Sequence, residues 1–108
     1  MESVIRTIHP AWIVHCAALT NVDWCQDHPQ QTKHINVDVP RYLAAAARNV
    51  GSNFVYISTD SVFNGQIGNY DEQDMPDPIN VYGTSKLLGE NAVTQELDKA
   101  LIIRTNFY

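Results

Sequence analysis

Three short apolar runs alternate with two longer segments in which apolar residues recur every three or four positions. Ala11 to Ala18 is nearly continuous in apolar residues (Trp12, Ile13, Val14, Cys16, Ala17), the pattern of a strand buried on both faces of a parallel sheet. Asn53 to Ser58, β-branched and aromatic through Phe54-Val55-Tyr56-Ile57, predicts a second strand. Ala100 to Thr105, with Leu101, Ile102 and Ile103, predicts a third. Between the first two the chain is polar from Asn21 to Gln31. From Pro29 a helical period carries Ile35, Val39, Leu43 and Ala47 to a stop at Gly51. Pro40 predicts a kink or a local thinning of that helix. Pro78, Ile79 and Asn80 read as the entry turn and cap of another helix, which runs to about Glu96 with Leu87, Leu88 and Ala92 at helical spacing. Ahead of all these, Val4, Ile5 and Ile8, followed by Pro10, predict the last turns of a helix that ends just before the first strand.

Strand, helix, strand, helix, strand with buried runs predicts an α/β protein with a parallel three-stranded sheet, βαβαβ. Ala17, Ala18, Ser58, Thr59 and Thr105 then fall on one carboxyl edge, where open α/β sheets bind ligands. Two small residues at a strand end let a flat ligand reach the backbone, although tight helix packing explains Ala17 and Ala18 equally well. Thr59 and Asp60 are placed for a ligand or simply close a turn through side-chain to backbone bonds. Asn64-Gly65 marks a turn, the stretch from Tyr70 to Pro78 reads as an acidic, solvated loop, and Arg104-Thr105-Asn106 adds a further polar edge. Asn36 lies inside the long helical pattern, where asparagine is a poor helix former, so either it faces solvent or its amide meets a partner in the interior; the sequence alone favours the first.

Composition narrows the class. With 108 residues, 44% hydrophobic and 18% charged, the chain suits one soluble globular domain of modest core. A formal net charge of -5 and the lack of any lysine or arginine run argue against a nucleic-acid surface, so partners are expected among small molecules. The longest apolar stretch, Ala11 to Leu19, is too short to cross a bilayer and contains His15, so neither a membrane nor a signal segment is predicted. Cys16 and Cys25 read as reduced thiols of a cytoplasmic protein. His9, His15, His28 and His34 lack ligand spacing, and no metal site is expected.

The candidate chemistry lies in Val81-Tyr82-Gly83-Thr84-Ser85-Lys86. Tyr82 and Lys86 stand four apart and share a helix face. An ammonium beside a phenol favours the phenolate, so Tyr82 is expected to exchange a proton near neutral pH while Lys86 also grips a ligand hydroxyl. The spacing alone is cheap, since chance supplies such a pair in roughly one chain in seven of this composition. Its context raises its value.

With Ser58-Thr59-Asp60-Ser61-Val62-Phe63-Asn64-Gly65 followed, after the acidic loop, by Asn80-Val81-Tyr82-Gly83-Thr84-Ser85-Lys86, the chain resembles the extended short-chain dehydrogenase/reductase superfamily. Within it, the chain is most similar to the dTDP-4-dehydrorhamnose reductase group. The resemblance runs through nearly all 108 residues. It implies a Rossmann-like fold binding NAD(H) or NADP(H), with Tyr82 as general acid or base, Lys86 holding the nicotinamide ribose and Thr59 bonding the reacting sugar oxygen. It further implies Asp60 beside the substrate, Ala17, Ala18 and Ser58 beside the cofactor, and Asn36 supporting the site through the long helix. The implied partner is a nucleotide-linked 4-keto-6-deoxy sugar, and the implied assembly a homodimer of the full-length protein. Two other readings stay open: a non-catalytic NADP-binding regulatory subunit resembling the methionine adenosyltransferase β subunit, and a nucleotide-sugar epimerase or dehydratase. Ser58-Thr59-Asp60 favours the reductase.

The chain departs from this family in its glycines, Gly51, Gly65, Gly68, Gly83 and Gly89, none of which forms a Gly-rich phosphate loop. The expectation is therefore that residues 1-108 are the middle part of a NAD(P)-binding domain, without the first βαβ unit and the later sugar-binding segment, and that they bind dinucleotide poorly alone.

Overall fold

The structure, a computed structural model, describes residues 2-63 and 75-105. Helix α1 (Glu2–Ile8) leads into strand β1 (Trp12–His15), followed by helices α2 (Val22–Asp27), α3 (Pro29–Lys33) and α4 (Val39–Val50). Strand β2 (Asn53–Thr59), helix α5 (Val81–Glu96) and strand β3 (Leu101–Thr105) complete the order. The strands form one parallel sheet in the order β1-β2-β3, with Trp12 beside Asn53 and Val55 beside Leu101. This is the parallel α/β arrangement expected from the alternation of runs. The predicted turn at Asn64-Gly65, most of the acidic loop and Asn106 lie outside the described residues.

Side chains alternate across a strand, and the sheet's two faces differ sharply. Phe54 and Tyr56 point to the helices and are fully buried with Leu43, Ala44, Ala47, Val93 and Leu97. On the opposite face Trp12 and Val14 are each 58% exposed, and Leu101 and Ile103 are open as well. The expected burial of the first strand on both faces is thus not found: β1 is four residues long, not eight, and alternates exposed and covered positions. Helices cover only one side of the sheet, so the apolar run is packed at every second residue.

The long helix expected from Pro29 to Gly51 is interrupted at His34–Asp38 by one π-helical turn, in which the Val39 N–H reaches back to the His34 carbonyl. Pro40 explains the interruption. It has no N–H to offer the Asn36 carbonyl four residues earlier, and its ring crowds that turn; widening the turn relieves the clash. At the far end Gly51 adopts φ 75° and closes the helix as a left-handed cap. Helix α2 falls in the stretch expected to be merely polar. Its signal was Asn21, whose side chain accepts the Trp24 N–H at 2.9 Å as an N-cap.

Candidate active site

Helix α5 begins where the sequence predicted. Asn80 caps it by accepting the Gly83 N–H at 2.7 Å, and the Gln26 side chain accepts the Val81 N–H at 3.0 Å. Gly83 has a specific reason to be glycine: a Cβ there would collide with the backbone carbonyl of Ser61. Its absence lets the first turn of α5 lie against the short 3-10 turn Asp60–Val62 that follows β2. This contact brings the strand end to the tyrosine.

At the carboxyl edge of the sheet a cleft of about 450 Å³ is lined by Cys16, Ala18, Thr20, Ser58, Thr59, Ser61, Tyr82, Lys86 and Thr105, among others. Of the residues singled out in the sequence, Ala18, Ser58, Thr59, Tyr82, Lys86 and Thr105 converge on it. Ala17 is exposed and Asp60 is exposed on the turn beyond Thr59, and neither lines the cleft. Asp60 still acts on Tyr82 through its charge. Thr59 combines both roles weighed for it: its side chain accepts the Ser61 N–H at 3.1 Å, closing the turn, and it hydrogen-bonds with Tyr82.

The electrostatics differ from the sequence expectation. Burial raises the Tyr82 phenol above the ordinary tyrosine value; the bond with Thr59 pulls it back, and Cys25 and Asp60 push it further up. Lys86 is itself buried, beside the end of β2. It is 3% exposed, donates to the Ile57 carbonyl at 2.9 Å and lies 4.4 Å from the centre of the Tyr56 ring. Burial brings Lys86 itself down from 10.5 to about 8, against the opposing pull of Glu90 and Cys16. His15 stacks on Tyr56 at 6.0 Å, and burial followed by the Lys86 charge lowers its pKa.

Asn36 does not face solvent. It is 1% exposed; its amide oxygen accepts the Leu19 N–H at 2.9 Å, while its amide nitrogen donates to the Leu19 carbonyl at 3.1 Å and to the Ser85 hydroxyl at 3.0 Å. Ser85 in turn donates to the Tyr82 carbonyl at 2.7 Å. Asn36 therefore ties the chain after β1 to the back of α5 and reaches the cleft only through other residues. The solvent-facing alternative failed because Asn36 shares the buried helix face with Thr32, Pro40, Ala44 and Ala47, a register that its polar side chain hid.

Sequence reasoning also passed over Glu90, a buried carboxylate two turns beyond Tyr82. It accepts the Ser58 hydroxyl at 2.6 Å and both ends of the Arg104 guanidinium fork, at 2.9 and 2.7 Å. The available signal was its spacing from Tyr82 and Lys86 in steps of four.

A parallel α/β sheet with a threonine, tyrosine and lysine gathered at its carboxyl edge places the chain in the Rossmann-like class. The sequence matches the RmlD substrate binding domain over residues 1–108, and the chain belongs to that family, within the extended short-chain dehydrogenase/reductases. Methionine adenosyltransferase 2 subunit beta of Bos taurus is 41% identical over 104 residues, covering 96% of this chain and 31% of the relative. The probable low-salt glycan biosynthesis reductase Agl14 of Haloferax volcanii is 43% identical over 96 residues, covering 88% and 32%. The crystal structure of dTDP-4-dehydrorhamnose reductase from Bacillus anthracis in complex with NADP superposes with a TM-score of 0.92 at 42% identity, covering 95% of this chain and 37% of that one. The chain thus spans about a third of the length of the curated relatives it matches. Among the described residues, no helix is long and apolar enough to cross a membrane.

Proposed function

We propose that this chain forms the catalytic edge of an NAD(P)H-dependent reductase acting on a nucleotide-linked 4-keto-6-deoxy sugar, of the dTDP-4-dehydrorhamnose reductase kind that serves dTDP-rhamnose formation. The observation that carries the reading is the convergence of Thr59, Tyr82 and Lys86 on one cleft. The similarity to a dTDP-4-dehydrorhamnose reductase bound to NADP supports it. The cleft suits the nicotinamide end of such a cofactor. Ala18 leaves room beside the strand end, and Lys86 spends one N–H on Ile57, keeping two for a ribose hydroxyl. The five glycines Gly51, Gly65, Gly68, Gly83 and Gly89 hold no G-x-G-x-x-G run, so the reading takes the phosphate-cradling turn from outside residues 1-108. The sugar pocket is likewise completed from outside them.

The bound dinucleotide supplies the hydride. Tyr82 gives the sugar oxygen its proton, a task suited to a phenol that burial keeps protonated across the physiological range. Thr59 donates to the same oxygen and then to the tyrosinate left behind. Lys86 holds the ribose. Ala17 and Ser58 flank the cofactor beside Ala18, Asp60 lies toward the substrate, and Asn36 fixes the helix from behind. In the complete gene product, Tyr82→Phe is expected to reduce turnover of a dTDP-4-keto-6-deoxy sugar by roughly 10²–10⁴-fold with NADPH binding retained. A Tyr82→Phe protein with the parental rate would sink the assignment.

One second reading has a specific support, the 41% identity to methionine adenosyltransferase 2 subunit beta. In it the same residues bind the dinucleotide without turnover and the protein serves a partner enzyme. Absence of reduction by the complete gene product, together with capture of a methionine adenosyltransferase catalytic subunit, would favour it.

A further inference from the structure

The Ser58 hydroxyl, the Arg104 guanidinium and the Glu90 carboxylate meet in one buried cluster, and each belongs to a different part of the site. Ser58 comes from the end of β2, Arg104 from the end of β3, and Glu90 from α5 itself. The carboxylate is 5% exposed, and both its oxygens are used. Its grip on Ser58 is significant because of the residues on either side. Ile57 offers the carbonyl that receives Lys86, and Thr59 carries the hydroxyl that meets Tyr82. Fixing Ser58 against α5 therefore fixes both catalytic approaches at once.

Helix geometry adds a second link. Tyr82, Lys86 and Glu90 follow one another at intervals of four and lie along one helix face. The Lys86 ammonium sits over the Tyr56 ring and is almost fully buried, so a nearby charge is felt more strongly than in water. Arg104 forms a two-point fork with the carboxylate, a geometry that holds it in one orientation.

We infer that Glu90 is a positioning residue for the reductase chemistry: it staples the ends of β2 and β3 to the catalytic helix and keeps the Lys86 ammonium charged inside the cleft. The inference rests on the reading of Tyr82 and Lys86 as the proton-transfer and ribose-holding pair. It assigns Glu90 no contact with substrate. Burial brings Lys86 down to about 8 even with the Glu90 and Cys16 charges opposing that fall.

The test follows Lys86 directly in the complete gene product, by ¹⁵N NMR at its side-chain nitrogen across a pH series, beside steady-state kinetics with NADPH and a dTDP-4-keto-6-deoxy sugar. Glu90→Gln removes the negative charge, and the Lys86 midpoint is expected to fall by about one pH unit. Arg104→Gln leaves the carboxylate without its cationic partner, and the midpoint is expected to rise. A role confined to holding the fold together predicts no such opposite signs. The alkaline limb of the rate profile should move with the midpoint in each variant, and Glu90→Asp should recover part of the Glu90→Gln loss. If Glu90→Gln leaves the fold unstable, Arg104→Gln and Ser58→Ala carry the test, the latter lowering kcat while the Lys86 midpoint stays near that of the parent. Unmoved midpoints in both charge variants would overturn the inference even if the parent is an active reductase. Opposite shifts in a parent that reduces no such sugar would support the electrostatic link and reject the proposed function instead.

Discussion

The hydroxyl of Tyr56 donates to the backbone carbonyl of Asn36 at 3.2 Å, the carbonyl for which Pro40 has no N–H. A group orphaned by a proline in one helix is thus satisfied by a phenol from the central strand. The strand, the π turn and α5 meet at this point, and Gly89 makes the meeting possible. A Cβ at Gly89 would collide with both the Asn36 carbonyl and the Tyr56 hydroxyl.

Gly89→Ala is accordingly expected to destabilise the protein by about 1–3 kcal/mol through overpacking, despite alanine's better helix propensity. Thermal unfolding of the single variant and of Gly89→Ala with Tyr56→Phe tests this. Removing the hydroxyl should return part of the loss, and a melting temperature unchanged by Gly89→Ala would contradict the contact.

Asn36→Ala deletes three hydrogen bonds in a buried place, leaving the Leu19 N–H without its partner and the Leu19 carbonyl with only the weak Cys25 thiol. A loss of about 2–4 kcal/mol in urea unfolding is expected. Asn36→Asp should fare no better, since a carboxylate would face the Leu19 carbonyl where the amide now donates.

Lys86, brought down to about 8 by burial, should govern the alkaline side of the rate profile. If its ammonium holds the ribose, kcat/KM is expected to fall as pH rises through about 8, while Tyr82 is still protonated. Lys86→Arg should move that limb upward, because a guanidinium keeps its charge. A limb unchanged in Lys86→Arg would assign it to another group.

The same shift has a consequence for stability. Between about 8 and 10.5 the unfolded chain holds more protons at Lys86 than the folded one, so this residue's contribution to stability rises with pH across that window. Below it both states are charged and the burial penalty is fully felt. The stability difference between parent and Lys86→Met should therefore shift by about 3 kcal/mol in the parent's favour from pH 8 to 10.5. Tyr56 and Tyr82, both raised by burial, act in the opposite sense above pH 10, but in both proteins alike. A pH-independent difference would show that Lys86 is not buried as a charge.

The order of elements, the parallel sheet and the Asn80 cap could be read from the chain because apolar period and capping chemistry are local. The pair Tyr82 and Lys86 was legible for the same reason, as was the placing of Ser58 and Thr59 at a strand end. Which way a side chain turns was not. Trp12 and Val14 look as buried as Phe54 in sequence, yet on their face of the sheet Val55 of the central strand is buried while Trp12, Val14, Leu101 and Ile103 stay open. Tyr82 was expected to come down toward neutrality; in three dimensions burial raises it against the bond with Thr59, while the Lys86 ammonium donates to the Ile57 carbonyl over the Tyr56 ring. Asn36 and Glu90 show the limit most clearly. Their partners lie 17 and 49 residues from Asn36, and 32 and 14 from Glu90, so the sequence determined the residue types and the tertiary fold alone decided which of them meet, since burial and charge depend on neighbours that only packing supplies.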